Sequence, residues 1–221
     1  MVFIGRKLPS YKYKFIYRRG AEERTDTIHG KRSSDAMSTI RGPEGIRQAC
    51  ARLRSAETRV ELAAAIYREV SGYSLFDLQA MRGRVERDLQ AVPTGYRRRL
   101  YPHMMEMIFE THHTLIATMR QGGAAVQDGP LAEEFPDFCE VAEKTSLAAD
   151  PKEQHLELLY FLLAAFNIFV LDRPAHPVGT PFPGGFEVEI RNGEYLCPVR
   201  EKADDVENAL CPYCPAKQSD M

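Results

Sequence analysis

Leu158-Leu159-Tyr160-Phe161-Leu162-Leu163-Ala164-Ala165-Phe166-Asn167-Ile168-Phe169-Val170-Leu171 is the most apolar stretch of the chain, and Asn167 is its only strongly polar residue. At about 1.5 Å per residue these positions reach roughly 21 Å as a helix, short of a hydrocarbon core of about 30 Å. Glu157 and Asp172 flank the stretch with negative charge and offer no positive anchor. It therefore predicts a helix buried on nearly all sides in a soluble bundle, not a membrane span. Immediately upstream, Asp150-Pro151-Lys152-Glu153 combines a capping carboxylate, a proline at the first helical position and a reciprocal carboxylate, so the helix is expected over 151–171.

Upstream of this stretch the apolar spacing keeps a helical period from Pro43 onward, with helices expected over 43–54, 57–71, 75–90, 101–121 and 136–147. Ser74 followed by Asp77 fits an N-cap with an acidic first turn, and Gly122-Gly123 ends the long helix. The fold class expected is mainly α: a helical bundle with a small C-terminal β-hairpin and metal-knuckle element. Three segments are expected: a basic arm over 1–42, extended or disordered; a helical domain over 43–172; and a C-terminal element over 173–221 packed on the helices. No internal repeat is present.

The composition, 44% apolar and 27% charged, is that of a globular chain and excludes wholesale disorder. The net charge of -2 hides an asymmetry. Residues 1–42 carry ten Lys and Arg against four Asp and Glu, a net of +6, and the rest carry a net of -8. Within the arm, Tyr11-Lys12-Tyr13-Lys14-Phe15-Ile16-Tyr17 interleaves tyrosine with lysine. That pattern suits phosphate contacts, so nucleic acid is a conceivable partner through residues 1–42, but no folded recognition module accompanies it. The N-terminal Met-Val-Phe-Ile-Gly-Arg-Lys is too short in its apolar part for a signal-peptide core. Five cysteines are too few and too scattered for a secreted disulfide scaffold. A cytoplasmic location, with reduced thiols free to bind metal, follows from these readings.

After Asp172 the chain changes character. Arg173 to Gly185 holds four prolines and three glycines and cannot be helical. Phe186 to Ile190 alternates with period two, Asn192-Gly193 is a strong hairpin turn signal, and the return strand runs from Glu194 to about Cys197. Cys197, Cys211 and Cys214 are spaced Cys-x13-Cys-x2-Cys. A hairpin facing a cysteine pair on a tight turn is the layout of small zinc ribbons. These three are the expected metal ligands, with Cys139 or His176 as the fourth. His176 would make a Cys3His set suited to zinc; Cys139 would make four thiolates suited to zinc or an iron–sulfur cluster. The bland alternative is a set of reduced, unligated thiols. Cys211-Pro212-Tyr213-Cys214 also reproduces the glutaredoxin tetrapeptide, but that chemistry needs the first thiol at a helix N-terminus after a strand, with a βαβ unit following. Cys50 reads as a small core residue.

His103, Glu106, Glu110 and His113 follow i, i+3, i+7, i+10 spacing on the long helix, and are the candidate catalytic acid and base groups. Glu110-Thr111-His112-His113 is half of a di-iron carboxylate motif, but no second Glu-x-x-His exists on another helix. On a straight wheel the stripe falls near ~310° and the apolar side near ~160°, which predicts a solvated face, with His112 on the apolar side. An enzymatic reading requires this stripe to meet the His176–Gly185 loop in one pocket. Arg82, Arg84, Arg87, Arg97, Arg98 and Arg99 bracket Pro93-Thr94-Gly95 and read first as a solvated face, second as a phosphate or carboxylate site.

The run His176-Pro177-Val178-Gly179-Thr180-Pro181-Phe182-Pro183-Gly184-Gly185-Phe186, with Tyr195 to Lys202 and Ala209-Leu210-Cys211-Pro212-Tyr213-Cys214, resembles an uncharacterised archaeal protein family from methanogens, domain-of-unknown-function family 2115. The resemblance supports the C-terminal element and brings no activity with it. The leading expectation is a protein with a C-terminal cysteine-based metal site, structural zinc or an iron–sulfur cluster. The alternatives are an enzyme with a pocket between the loop and the long helix, and a nucleic-acid-binding or scaffolding protein using the arm.

Overall fold

The computed structural model describes residues 42–203, 206 and 208–219; the basic arm expected over 1–42 lies, except for Gly42, outside them. The described chain is mainly helical with a small sheet near its C-terminal end. Helix α1 (Pro43–Arg54) starts on a proline, with Glu44 in its first turn and Arg52 and Arg54 in its last, charges that suit the helix dipole. The Thr58 side chain accepts the Glu61 N–H to cap α2 (Arg59–Val70). Ser74 and Asp77 form a reciprocal capping box on α3 (Leu75–Asp88), as their spacing predicts.

The long helix differs from expectation in two ways. It begins at Thr94, not near 101, as α4 (Thr94–Met105) with Pro102 inside it. Pro102 looks like a helix start because it lacks an N–H, but here it occupies an interior turn and leaves the Arg98 carbonyl without its usual donor. The helix then widens into a π-turn (Glu106–Glu110) before resuming as α5 (Thr111–Arg120). α6 (Phe135–Ala148) follows, then α7 (Gln154–Ala165), which also ends in a π-turn (Phe166–Val170). Asp150 accepts the Lys152 N–H at 2.8 Å and caps a tight turn just ahead of α7, so the helix proper starts three residues later than its start signal.

α7 is the centre of the bundle. Every residue from Leu156 to Val170 except Tyr160 is buried; α6, α3 and α2 pack against it. Asn167 carries the one strongly polar side chain of the apolar run. It donates to Thr111 Oγ1 at 2.8 Å, joining one π-turn to the residue that follows the other. Phe138 on α6 lies at the junction of bundle and C-terminal element. Its ring meets Phe161 at 5.8 Å, Phe169 at 5.1 Å and Tyr213 at 5.3 Å. No described helix is long and apolar enough to cross a membrane.

The hairpin forms where Asn192-Gly193 predicts it. β1 (Glu189–Arg191) pairs antiparallel with β2 (Glu194–Cys197), and both turn residues have positive φ, 52° and 81°. The first strand is shorter than expected because residues 187–188 pair with the Pro/Gly loop: Pro181 bridges Glu187, and the Val188 N–H donates to the Thr180 carbonyl at 3.1 Å. A third strand, β3 (Lys217–Gln218), runs parallel to β2 and has no signal in the sequence, being only two residues long.

Candidate functional site

β2 ends on Cys197, and a 3₁₀ turn over Cys211–Tyr213 leads into Cys214. The pairing of β3 with β2 brings the chain after Cys214 back alongside Cys197. The two cysteines share a small buried cluster with Phe182, Val188, Val199 and Ala216. Each sulfur accepts two backbone N–H groups: Cys197 from Val199 and Arg200, Cys214 from Ala216 and Ala175. Such bonds favour a thiolate. Burial opposes them and prevails, pushing the Cys197 thiol up to about 11 and raising Cys214 as well. Both are therefore protonated and sluggish nucleophiles unless a metal displaces the proton.

His176 belongs to the same neighbourhood. It follows Ala175, whose amide serves Cys214, and its ring meets Phe182 edge-on at 5.6 Å. Burial alone drives its imidazole down to about 4. The unfolded chain, at an ordinary value near 6.5, takes up that proton first. Stability is therefore complete above pH ~6.5 and falls as pH drops towards 4. For the metal-free protein, unfolding at pH 7 and pH 4 should differ by up to about 3 kcal/mol from this group, and His176→Gln should flatten that slope. Equal slopes in the two proteins would refute the assignment.

The other expected ligands lie elsewhere. Cys211 packs with Ala203, Val206 and Ala209. Cys139 sits in the α1–α6 contact near Cys50, where burial pushes both thiols up to about 12 and each is further raised by the other or by Glu143. Among the described residues, no three His, Cys, Asp or Glu side chains stand together as a metal site. The full ligand set expected from the cysteine spacing is thus not gathered in this structure, and Cys139 is placed as a core residue of the bundle, because the α6 face that carries it is the one α1 covers.

Two side chains that sequence reasoning missed tie the element together. Arg200 donates from Nε to the Cys214 carbonyl at 3.1 Å and from Nη2 to the Pro212 carbonyl at 3.3 Å. Gln218 accepts the Glu201 N–H at 3.0 Å and donates to the Pro198 carbonyl at 3.1 Å. Neither carries a spacing signal, since both act through backbone carbonyls and amides brought together by the parallel strand.

The histidine–glutamate stripe divides. His103 is half-buried beneath the loop: a side-chain carbon on Gly179 (φ +84°) would stand 3.1 Å from His103 Cε1. Its Nδ1 is buried without a hydrogen bond, and the Glu106 carboxylate lies 3.6 Å away. The Tyr96 hydroxyl donates to the Pro181 carbonyl at 2.7 Å, holding the loop on α4. Glu106, Glu110 and His113 are exposed. The π-turn inserts one residue between His103 and His113, rotating the later pair by roughly 100° from a straight wheel. Only the start of the stripe meets the loop. His112 is half-buried, and its imidazole is lowered by burial and by His113. Among the arginines, Arg84 is not solvated: it pairs with the buried Glu157 of α7, while Arg87 pairs with Glu153 and Arg82 with Glu86.

A family model described as "Uncharacterized protein conserved in archaea (DUF2115)" matches residues 58–219. The chain belongs to this family. A UPF0305 protein of Methanocaldococcus jannaschii is 26% identical over 161 residues, 72% of this chain and 96% of that one. Another, of Methanothermobacter thermautotrophicus, is 48% identical over 60 residues, covering 27% of this chain and 39% of its own length. A third, of Methanopyrus kandleri, is 38% identical over 96 residues, 39% of this chain and 66% of that protein. No solved structure matches. The family match covers the long-helix region and the C-terminal element as far as residue 219, and starts beyond the basic arm.

Proposed function

We propose that the C-terminal element of this family member is a metal-binding staple in which Cys197 and Cys214 supply the central thiolate pair and zinc is the ion. The observation that supports it most is the cradle: two sulfurs from opposite ends of the element, packed in one cluster, each accept two backbone N–H groups. Amides aimed at sulfur compensate a thiolate and have little to do for a neutral thiol. His176, next to the amide that serves Cys214, and Cys211, three residues before it, complete a Cys3His set by closing in when the ion binds. That set suits zinc. An iron–sulfur cluster would need Cys139 in place of His176, and the position of Cys139 beside Cys50 disfavours it. With four protein ligands the zinc is structural: it stabilises a segment whose own apolar cluster is small.

The full chain, purified without oxygen, should be colourless and carry about one zinc per chain, on the coordination rules for such sites. Cys197→Ser and Cys214→Ser should each lose it, whereas Cys139→Ser should keep it. At free zinc a hundredfold above Kd, linkage gives about 2.7 kcal/mol. In a chain of this size a chelator should then lower Tm by roughly 5–10 °C. Metal-free wild type, or zinc retained equally in all three variants, would refute the reading.

A further inference from the structure

The turn at Pro93 divides the arginines. Ahead of it, Arg82 pairs with Glu86, Arg84 with Glu157 and Arg87 with Glu153. After it, Arg97, Arg98 and Arg99 have no carboxylate within ion-pair distance among the described residues. Glu86, the acid of α3 that reaches α4, is already held by Arg82 at 2.9 Å and by the Tyr101 hydroxyl at 2.8 Å. Arg98 and Arg99 are exposed, and Arg97 is half-buried. Their place on the helix is also reversed. α1, α2, α3 and α5 carry arginine in the last turn, where the negative end of the helix dipole favours it. α1, α2, α3, α6 and α7 each carry an acid in the first turn. α4 has neither an acid nor a side-chain cap at its start, and places its three arginines within its first six residues, at the positive end of the dipole. Helical side chains lean towards the N-terminus, and two of these do so visibly. Arg97 Nη1 reaches the Gln90 carbonyl at 3.4 Å, and the Arg99 guanidinium lies over the Tyr96 ring, 5.9 Å from its centre.

We infer that this end of α4 is a binding surface for the phosphate backbone of single-stranded nucleic acid. Consecutive helical positions are about 100° apart, and Arg97 and Arg99 turn to different partners, so the three cations fan out. A fan does not converge on one small phosphate; it suits a polymer that offers a phosphate at each step. The Tyr96 ring beneath Arg99 is fixed by the bond from its hydroxyl to the Pro181 carbonyl at 2.7 Å. A guanidinium held flat against an aromatic ring is a platform on which an unpaired base can stack, which favours a single strand over a duplex. An anionic membrane surface fits less well. Among the described residues, none of the exposed large apolar side chains lies on α4, so nothing there is available to insert. The inference is independent of the zinc reading.

The test uses the full chain in three forms: wild type, Arg98→Gln with Arg99→Gln, and Arg68→Gln with Arg120→Gln. The last loses the same charge from exposed arginines on α2 and α5. Labelled oligouridine and oligothymidine of about 20 nucleotides, and a duplex of the same length, report binding by fluorescence anisotropy between about 50 and 200 mM salt. Sedimentation with phosphatidylserine vesicles supplies the membrane comparison, and circular dichroism reports whether each variant is folded. Wild type should bind at least one of the single strands more tightly than the duplex, with an affinity that falls steeply as salt rises. Losing two phosphate contacts should lower the salt slope by about 1.4, at about 0.7 per contact for a single strand, and weaken binding at about 50 mM salt at least about tenfold. The Arg68 and Arg120 variant should bind like wild type. No binding by wild type at about 50 mM salt would overturn the inference. So would equal binding by wild type and the Arg98 and Arg99 variant, which assigns the contact to another part of the chain such as the arm over 1–42. An equal loss in the Arg68 and Arg120 variant overturns it too, since net charge alone would then account for binding. Tighter binding of the duplex, or binding of vesicles without either oligonucleotide, likewise rejects a single-strand surface.

Discussion

Phe138→Ala is expected to destabilise the protein by about 3–5 kcal/mol, the range for truncating a buried aromatic ring. The side chain is fully buried at 0% exposure, and its ring is edge-on to Phe161, Phe169 and Tyr213 at 5.1–5.8 Å. Neighbours on three elements cannot all relax into the void, so the cavity contribution adds to the lost transfer energy. Tyr213 lies between Cys211 and Cys214, so the same substitution removes a docking contact of the cysteine turn on the bundle. Two measurements should move together: the denaturant midpoint should fall, and protease cleavage within residues 198–214 should become faster. Tyr213→Ala should reproduce the second effect with a smaller first one, because Tyr213 is only half-buried. A loss below 1 kcal/mol for Phe138→Ala would mean that the ring junction contributes far less than its burial implies.

The sequence announces this helical body clearly where burial is one-sided or complete. The run from Leu158 to Leu171 has no polar face to place, so it can only be an interior helix, and the Ser74–Asp77 capping box and the Asn192-Gly193 turn are local chemistry that needs no tertiary context. The long helix is misread at both its start and its phase for one reason: proline and π-turns are decided by neighbours. Pro102 is tolerated within α4, and the turn at Glu106–Glu110 widens against α7, whose own widened turn faces it through the Asn167–Thr111 bond. A straight wheel cannot register an inserted residue.

The candidate site is legible in part for the same kind of reason. Cysteine spacing and the hairpin together mark Cys197 and Cys214, and both lie in one cluster. The choice between His176 and Cys139 as a nearby group depends on which face of α6 is covered by α1, a tertiary fact with no trace in local spacing. Arg200 is invisible for a further reason. Its partners are carbonyl oxygens, which every residue has, and so no residue-type pattern marks them.

Arg52→Met is expected to cost about 3 kcal/mol, although the substitution is at a half-exposed position. The Glu69 side chain of α2 is buried, at 3% exposure, and Arg52 of α1 meets both its oxygens, Nε to Oε1 at 2.6 Å and Nη2 to Oε2 at 3.1 Å. Methionine preserves the stem packing and leaves the carboxylate buried without its bidentate partner. Removing one member of such a pair typically costs 3–5 kcal/mol, and water reaching the 38%-exposed guanidinium places this case at the lower end. Replacing both partners removes the uncompensated charge, so Arg52→Met with Glu69→Leu should lie within about 1 kcal/mol of wild type. The two single variants and the double variant form a cycle in denaturant unfolding. A coupling below about 0.5 kcal/mol, the scatter expected of independent sites, would show that the bridge between α1 and α2 is a surface ornament of the helices; a large one makes it a polar tie that holds α1 on α2.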